Sequence, residues 1–113
     1  KDWTMEELVA KGEGVYQMNC VACHQVNGAG IPGIFPALAG SDIVLNNKPR
    51  NVEILMEGVQ GAAMQSFANQ LSEVDMAAVI TYTRRAWGND AKGDGEIVVP
   101  KEIVEYKENK IKI

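Results

Sequence analysis

Apolar positions recur at helical spacing in two long stretches of the chain. The first begins at Thr4, which reads as an N-cap with Glu7 at the N3 position of a capping box. Trp3 and Leu8 fall where a hydrophobic staple would join them. Leu8, Gly12, Val15 and Tyr16 then share one face. Glycine inside a helix costs about 1 kcal/mol against alanine. Its place on the apolar face therefore predicts a second helix crossing at close range. The second stretch repeats the same start, with Ser72 as N-cap, Asp75 at N3, and Leu71 and Met76 as the staple. Val79, Tyr82 and Ala86 form its stripe, with Met76, Ile80, Thr83 and Trp87 beside it. Arg84 and Arg85 complement the negative end of this helix, and Gly88 offers its stop. A shorter helix, Val52 to Glu57, is expected between a cap at Asn51 and a stop at Gly58.

The remaining segments read as connections. Residues 25–41 carry Gly28, Gly30, Pro32, Gly33, Pro36 and Gly40, a density of breakers that no helix survives. Ile31, Ile34, Phe35, Leu38 and Ala39 lie among them, so this loop is expected to pack on an apolar partner. Val59 to Phe67 is a second loop, pliant at Gly58 and Gly61. Residues 89–95 are polar, 97–99 look extended, and 101–109 suit a short helix that wraps the domain or frays. The expected organisation is all-α, with a domain over residues 1–90 and a C-terminal extension over 91–113.

Charge and length exclude several classes. At 113 residues, with 11 basic and 15 acidic side chains and a net charge of −4, the chain is a poor match to nucleic acid. No apolar run approaches the roughly 20 residues of a membrane span. No signal peptide begins at Lys1, so the chain reads as mature or cut from something longer. Lys48, Arg50, Arg84 and Arg85 provide local positive charge. Lys48 and Arg50 are expected in solvent, with a buried carboxylate as the alternative partner.

The chemistry concentrates in Cys20-Val21-Ala22-Cys23-His24. Two cysteines two apart with histidine after the second form the attachment signature of a c-type haem. The thiols stand one helical turn apart, so both reach the two vinyl groups on one porphyrin edge and form thioethers. His24 then lies under the iron as its proximal ligand. A thioredoxin-type dithiol would need a βαβ context. Zinc would need four ligands, whereas the chain has two Cys and one His. A plain disulfide would leave the adjacent histidine to coincidence.

A methionine on the second haem face would raise the reduction potential and close the site. Of five methionines, Met18 is too near Cys20, Met5 and Met76 serve helix starts, and Met56 sits inside the short helix. Met64, in the second loop, is left as the ligand, against the common use of methionine as a gap-filler. The function expected is one-electron transfer. An enzyme or sensor, in which Met64 leaves the iron, would lack a distal acid or base, because His24 is the only histidine.

Taken together, the residues from Thr4 to Gly88 resemble class I cytochromes c, whose fold wraps three to four helices around one covalent haem c. The resemblance rests on Gly12 and Tyr16, the Cys20–His24 motif, Pro36-Ala37-Leu38-Ala39-Gly40, Met64, and Val79 with Tyr82. It implies that the Pro36 carbonyl accepts the His24 ring N–H, and that Gly12 and Tyr16 meet Val79 and Tyr82. Residues 27–38, 61–67 and 77–89 further resemble the haem domain at the C-terminus of cytochrome c oxidase subunit II in bacterial caa-type enzymes. That likeness implies a periplasmic or outer-face location and membrane association only through the parent complex. It also implies a cytochrome as donor, the oxidase copper domain as acceptor, and a monomeric isolated domain. Gln65 departs from the pattern, where Pro often follows the ligand methionine. The alternative is a free-standing periplasmic carrier.

Overall fold

The computed structural model of the chain describes residues 2–59, 62 and 64–111. Gly61, and the pliancy expected of it, lies outside the described residues. Among the described residues six helices follow one another: α1 (Met5–Asn19), α2 (Val21–His24), α3 (Asp42–Asn46), α4 (Lys48–Glu57), α5 (Glu73–Arg85) and α6 (Pro100–Ile111). A 3-10 turn, Asn89–Ala91, lies between the last two. Among the described residues there is no strand, only an isolated bridge between Ile31 and Phe35. No helix among them is long and apolar enough to cross a membrane.

The start of α1 is as its sequence predicts. Thr4 Oγ1 accepts from the Glu7 amide at 3.1 Å, and the Glu7 carboxylate accepts from the Thr4 amide at 3.0 Å. Its apolar face buries Leu8, Gly12 and Tyr16 against α5, the largest helix pairing in the molecule. A Cβ on Gly12 would stand 2.1 Å from the Ala78 carbonyl oxygen and 2.7 Å from Tyr82 Cβ. Any side chain there must part the helices. The residues meeting Gly12 are thus Ala78 and Tyr82, whereas Val79, one position on, turns to an internal cavity. Above the crossing, Tyr16, Tyr82 and Trp87 form an aromatic triad with ring centroids 5.2–5.7 Å apart.

Other boundaries shift. Asn47, not Asn51, caps α4, with its Oδ1 accepting from the Arg50 amide at 3.2 Å and Pro49 in the first turn. The helix is therefore longer at its start than expected, and Asn51 is free to turn inward. Ahead of it, Ser41 caps α3. Helix α5 ends at Arg85, before Gly88, because Ala86 leaves the helical region for extended backbone (ψ 163°) and Trp87 follows with a left-handed φ of 57°.

Lys48, expected in solvent, is instead engaged within the chain, and Arg84 is buried. Lys48 Nζ donates to the Ile97 carbonyl at 3.1 Å and pairs with Glu96 and Glu102 at 3.2 and 2.7 Å. Arg84 is buried, donates to the carbonyls of Glu96 and Leu45, and pairs with Asp94. Arg50 pairs with Glu53 on its own helix. These cations fasten the chain to itself. Lys48 and Arg84 bind the start of the tail, and its described part is packed on α5: Thr81 exchanges two 2.9 Å hydrogen bonds with the Val98 backbone, and Val98 and Ile103 are fully buried.

Gly12→Val is expected to cost about 1–3 kcal/mol or more through overpacking, read as a drop in the denaturant midpoint. Unchanged stability would place Gly12 outside the crossing. A second expectation concerns acid. The Arg84 guanidinium holds the Asp94 carboxyl below the ordinary carboxylate range, and Lys107 does the same to Glu73. A depressed folded pKa gives stability that is present above the unfolded value, about 4, and lost as pH falls through the folded one. Unfolding free energy should therefore fall below about pH 4, and Asp94→Asn should flatten that fall.

Candidate metal centre

Cys20 closes α1 and opens α2, so the chain turns from one helix into the next at the first thiol. The His24 amide donates to the Cys20 carbonyl at 2.9 Å, which sets Cys20, Cys23 and His24 within a single turn. All three line one cavity of about 360 Å³. The two thiols are free and half-buried. Burial, with a smaller contribution from Cys23, pushes the Cys20 thiol up to about 11. A redox dithiol needs a lowered value. Among the described residues no cluster of three potential ligands suits a closed metal site.

His24 is 91% buried in effect, only 9% exposed. Its Nδ1 stands 2.9 Å from the Pro36 carbonyl oxygen. A carbonyl only accepts, so Nδ1 carries the proton and Nε2 keeps its lone pair for a metal. The loop supplying Pro36 is strapped from several sides. The Gly30 amide donates to the His24 carbonyl at 3.0 Å, and Tyr16 Oη donates to the Gln25 carbonyl at 2.6 Å. Trp87 Nε1 donates to the Val26 carbonyl at 2.9 Å. Gly28, at φ 69°, lies so close under the Trp87 ring that a Cβ would come within 2.5 Å of it. Asn89 is fully buried; its Oδ1 accepts from the Gly40 amide at 2.8 Å, and its Nδ2 donates to the carbonyls of Leu38 and Thr83. Neither Asn89 nor Trp87's strap was legible as a site feature, since a polar residue after a helix reads as linker.

Met64 reaches the same cavity. Met56 and Met76 are in the packed core, and Met18 is 87% exposed. Among the described residues Met64 is the only methionine on the cavity wall. The Met64 carbonyl accepts from the Val59 amide at 3.0 Å, and the Phe67 amide donates to the Leu55 carbonyl at 2.9 Å. This stretch therefore lies along the end of α4. The apolar loop is split: Phe35 and Leu38 are half-buried on the wall, whereas Ile34 is 69% exposed at the rim.

The wall carries no Asp, Glu, Lys or Arg among the described residues. Its polar groups are mostly engaged: Asn19 Nδ2 donates to the Val15 carbonyl and Thr83 Oγ1 to that of Ile80. Asn51 Nδ2 is the exception, buried on the wall without a partner. A haem fits these residues. Two thiols and a lone-pair nitrogen stand on one turn, a thioether sulfur borders the same apolar space, and an unused donor awaits a carboxylate.

Comparison with known proteins points the same way. Residues 7–82 match the model of the family described as cytochrome C oxidase, cbb3-type, subunit III. The chain is 35% identical over 92 residues to the cytochrome c subunit of the quinone alcohol dehydrogenase of Gluconobacter oxydans (strain 621H). That match takes in 73% of this chain, which spans about a fifth of the relative's length, 19%. It is 38% identical over 100 residues to cytochrome c-552 of Thermus thermophilus, covering 76% of this chain and 75% of the relative. Cytochrome cL from Hyphomicrobium denitrificans shares the fold, with a TM-score of 0.53 at 21% identity over 95% of this chain and 69% of its own.

Mass spectrometry of the matured, denatured protein is expected to show chain and haem as one mass. A mass equal to the bare polypeptide would exclude thioether attachment.

Proposed function

The chain belongs to the cytochrome c family described as cytochrome C oxidase, cbb3-type, subunit III, and from that premise we propose that it passes one electron at a time through an iron held by His24 and Met64. As a class I cytochrome c domain it binds one haem c covalently, through Cys20 and Cys23. The haem supplies a reversible one-electron couple. The chain's own residues hold and insulate it. Pro36 fixes the His24 ring by accepting its Nδ1–H, which leaves Nε2 for the iron. Asn51 Nδ2 is the donor available to a propionate, whereas Lys48 and Arg50 are paired with glutamates of the chain itself. The observation that carries the reading is that, of the methionines described, Met64 alone borders the cavity of Cys20, Cys23 and His24.

The proposed setting is the periplasm or the outer face of a bacterial inner membrane, within a larger redox complex. The proposed electron path runs from a soluble cytochrome towards the copper domain of cytochrome c oxidase subunit II. The oxidase-like stretches at residues 27–38, 61–67 and 77–89 support it. A second reading, a cytochrome c subunit of a dehydrogenase, is favoured by the quinone alcohol dehydrogenase relative, in which the matched part is 19% of the whole. The full reading frame separates the two: a copper-site domain supports the oxidase, and a frame about five times the matched length without one supports the dehydrogenase. Ile34, exposed at the rim, is the apolar contact proposed for a redox partner, since Lys48 and Arg84 are occupied within the chain.

Met64→Ala is expected to leave the haem attached, abolish the weak far-red charge-transfer band of the ferric protein and lower the reduction potential. A native spectrum and potential in this variant would assign the sixth ligand elsewhere.

A further inference from the structure

We infer that the C-terminal extension positions the Met64 segment, with Tyr106 and Lys107 as the positioning residues. The inference rests on Met64 as the iron ligand. The segment hangs between two helix ends. Glu57 is the last residue of α4 and Glu73 the first of α5. Tyr106 Oη donates to the Glu57 carboxylate at 2.9 Å, and Lys107 Nζ pairs with Glu73. Two consecutive residues of α6 thus tie both ends of the connection that carries Met64.

The tie at Glu57 has a route to Met64 itself. The residues after Met64 lie on the last turn of α4: Ser66 Oγ donates to the Met56 carbonyl, and the Phe67 amide to that of Leu55. Gly58 is packed so closely under them that a Cβ would come within 2.9 Å of the Met64 carbonyl oxygen. A shift of this turn therefore carries Met64 with it. Helix α6 is a fixed point from which to hold the turn, since Ile103 and the preceding Val98 are fully buried. Burial and the Glu57 carboxylate push the Tyr106 phenol up to about 12, so it remains a donor throughout the neutral range.

Both ties lie at the surface, where such contacts add little to global stability. Positioning and folding are therefore separable by experiment. In the intact haem-loaded chain, Tyr106→Phe with Lys107→Met is compared with wild type and with Met64→Ala. The readouts are the far-red band of the ferric protein on heating, the rate at which imidazole displaces the sixth ligand, and far-ultraviolet circular dichroism. Imidazole binding is expected to quicken about three- to tenfold. The far-red band should be lost at a lower temperature while the helical signal melts nearly as in wild type. Lys107→Arg should restore most of the wild-type behaviour. Imidazole kinetics equal to wild type, or a band lost only in step with the helical signal, would overturn the inference. A far-red band retained in Met64→Ala would instead remove the ligand reading on which it rests.

Discussion

The close crossing of α1 and α5 at Gly12 is the constraint on which the rest depends. Because no Cβ separates the backbones there, Ala78 and Tyr82 come directly against α1. The approach brings Tyr16 onto Tyr82 and Trp87. Those two donors, Tyr16 Oη and Trp87 Nε1, then grip the carbonyls of Gln25 and Val26 immediately after His24. A packing decision between two helices is thus transmitted through an aromatic triad to the backbone that orients the imidazole. The cost of a glycine within α1 is about 1 kcal/mol in propensity, and the burial of Tyr16, Leu8 and Met76 offsets it.

Asn89 closes the same arrangement from the other side. One buried amide joins the Pro36 loop, at Leu38 and Gly40, to the end of α5 at Thr83. Its three hydrogen bonds satisfy backbone groups that a loop over an apolar cavity would otherwise leave bare. The His24–Pro36 bond is therefore supported at both ends, by the triad before Pro36 and by Asn89 after it.

Much of this was legible in the sequence where the signal is local. The capping box at Thr4, the cap at Ser72, the attachment motif and the glycine on an apolar face each follow from residues within a turn or two of one another. That Met64 borders the cavity follows the elimination in the sequence, in which Met18 is too near Cys20 and Met5, Met56 and Met76 have helical explanations. The illegible parts were made by polar side chains reaching across the chain. Asn89 bonds Gly40 and Lys48 bonds Ile97, each 49 residues away, and no local pattern marks a residue whose partner is a distant carbonyl. Asn47 was missed as a cap because Asn51 offered an equally good one, and the pairing of Pro49 with the first turn decided between them. The packing of residues 96–103 on the domain was hidden for a similar reason. Val98 and Ile103 sit among charges whose partners lie on α4 and α5.

The uncharged cavity wall bears on how fast an electron can move. When the centre gains or loses one unit of charge, ionised side chains nearby would have to swing, and surrounding water would have to reorient, before the new state relaxed. Here the described wall is hydrocarbon with a few amides and hydroxyls, most of them already locked to the backbone. The histidine ring is held by a carbonyl whose own loop is strapped at both ends. Few charged or freely turning groups of this chain border the described wall, which is the condition under which a one-electron step there would need little reorganisation.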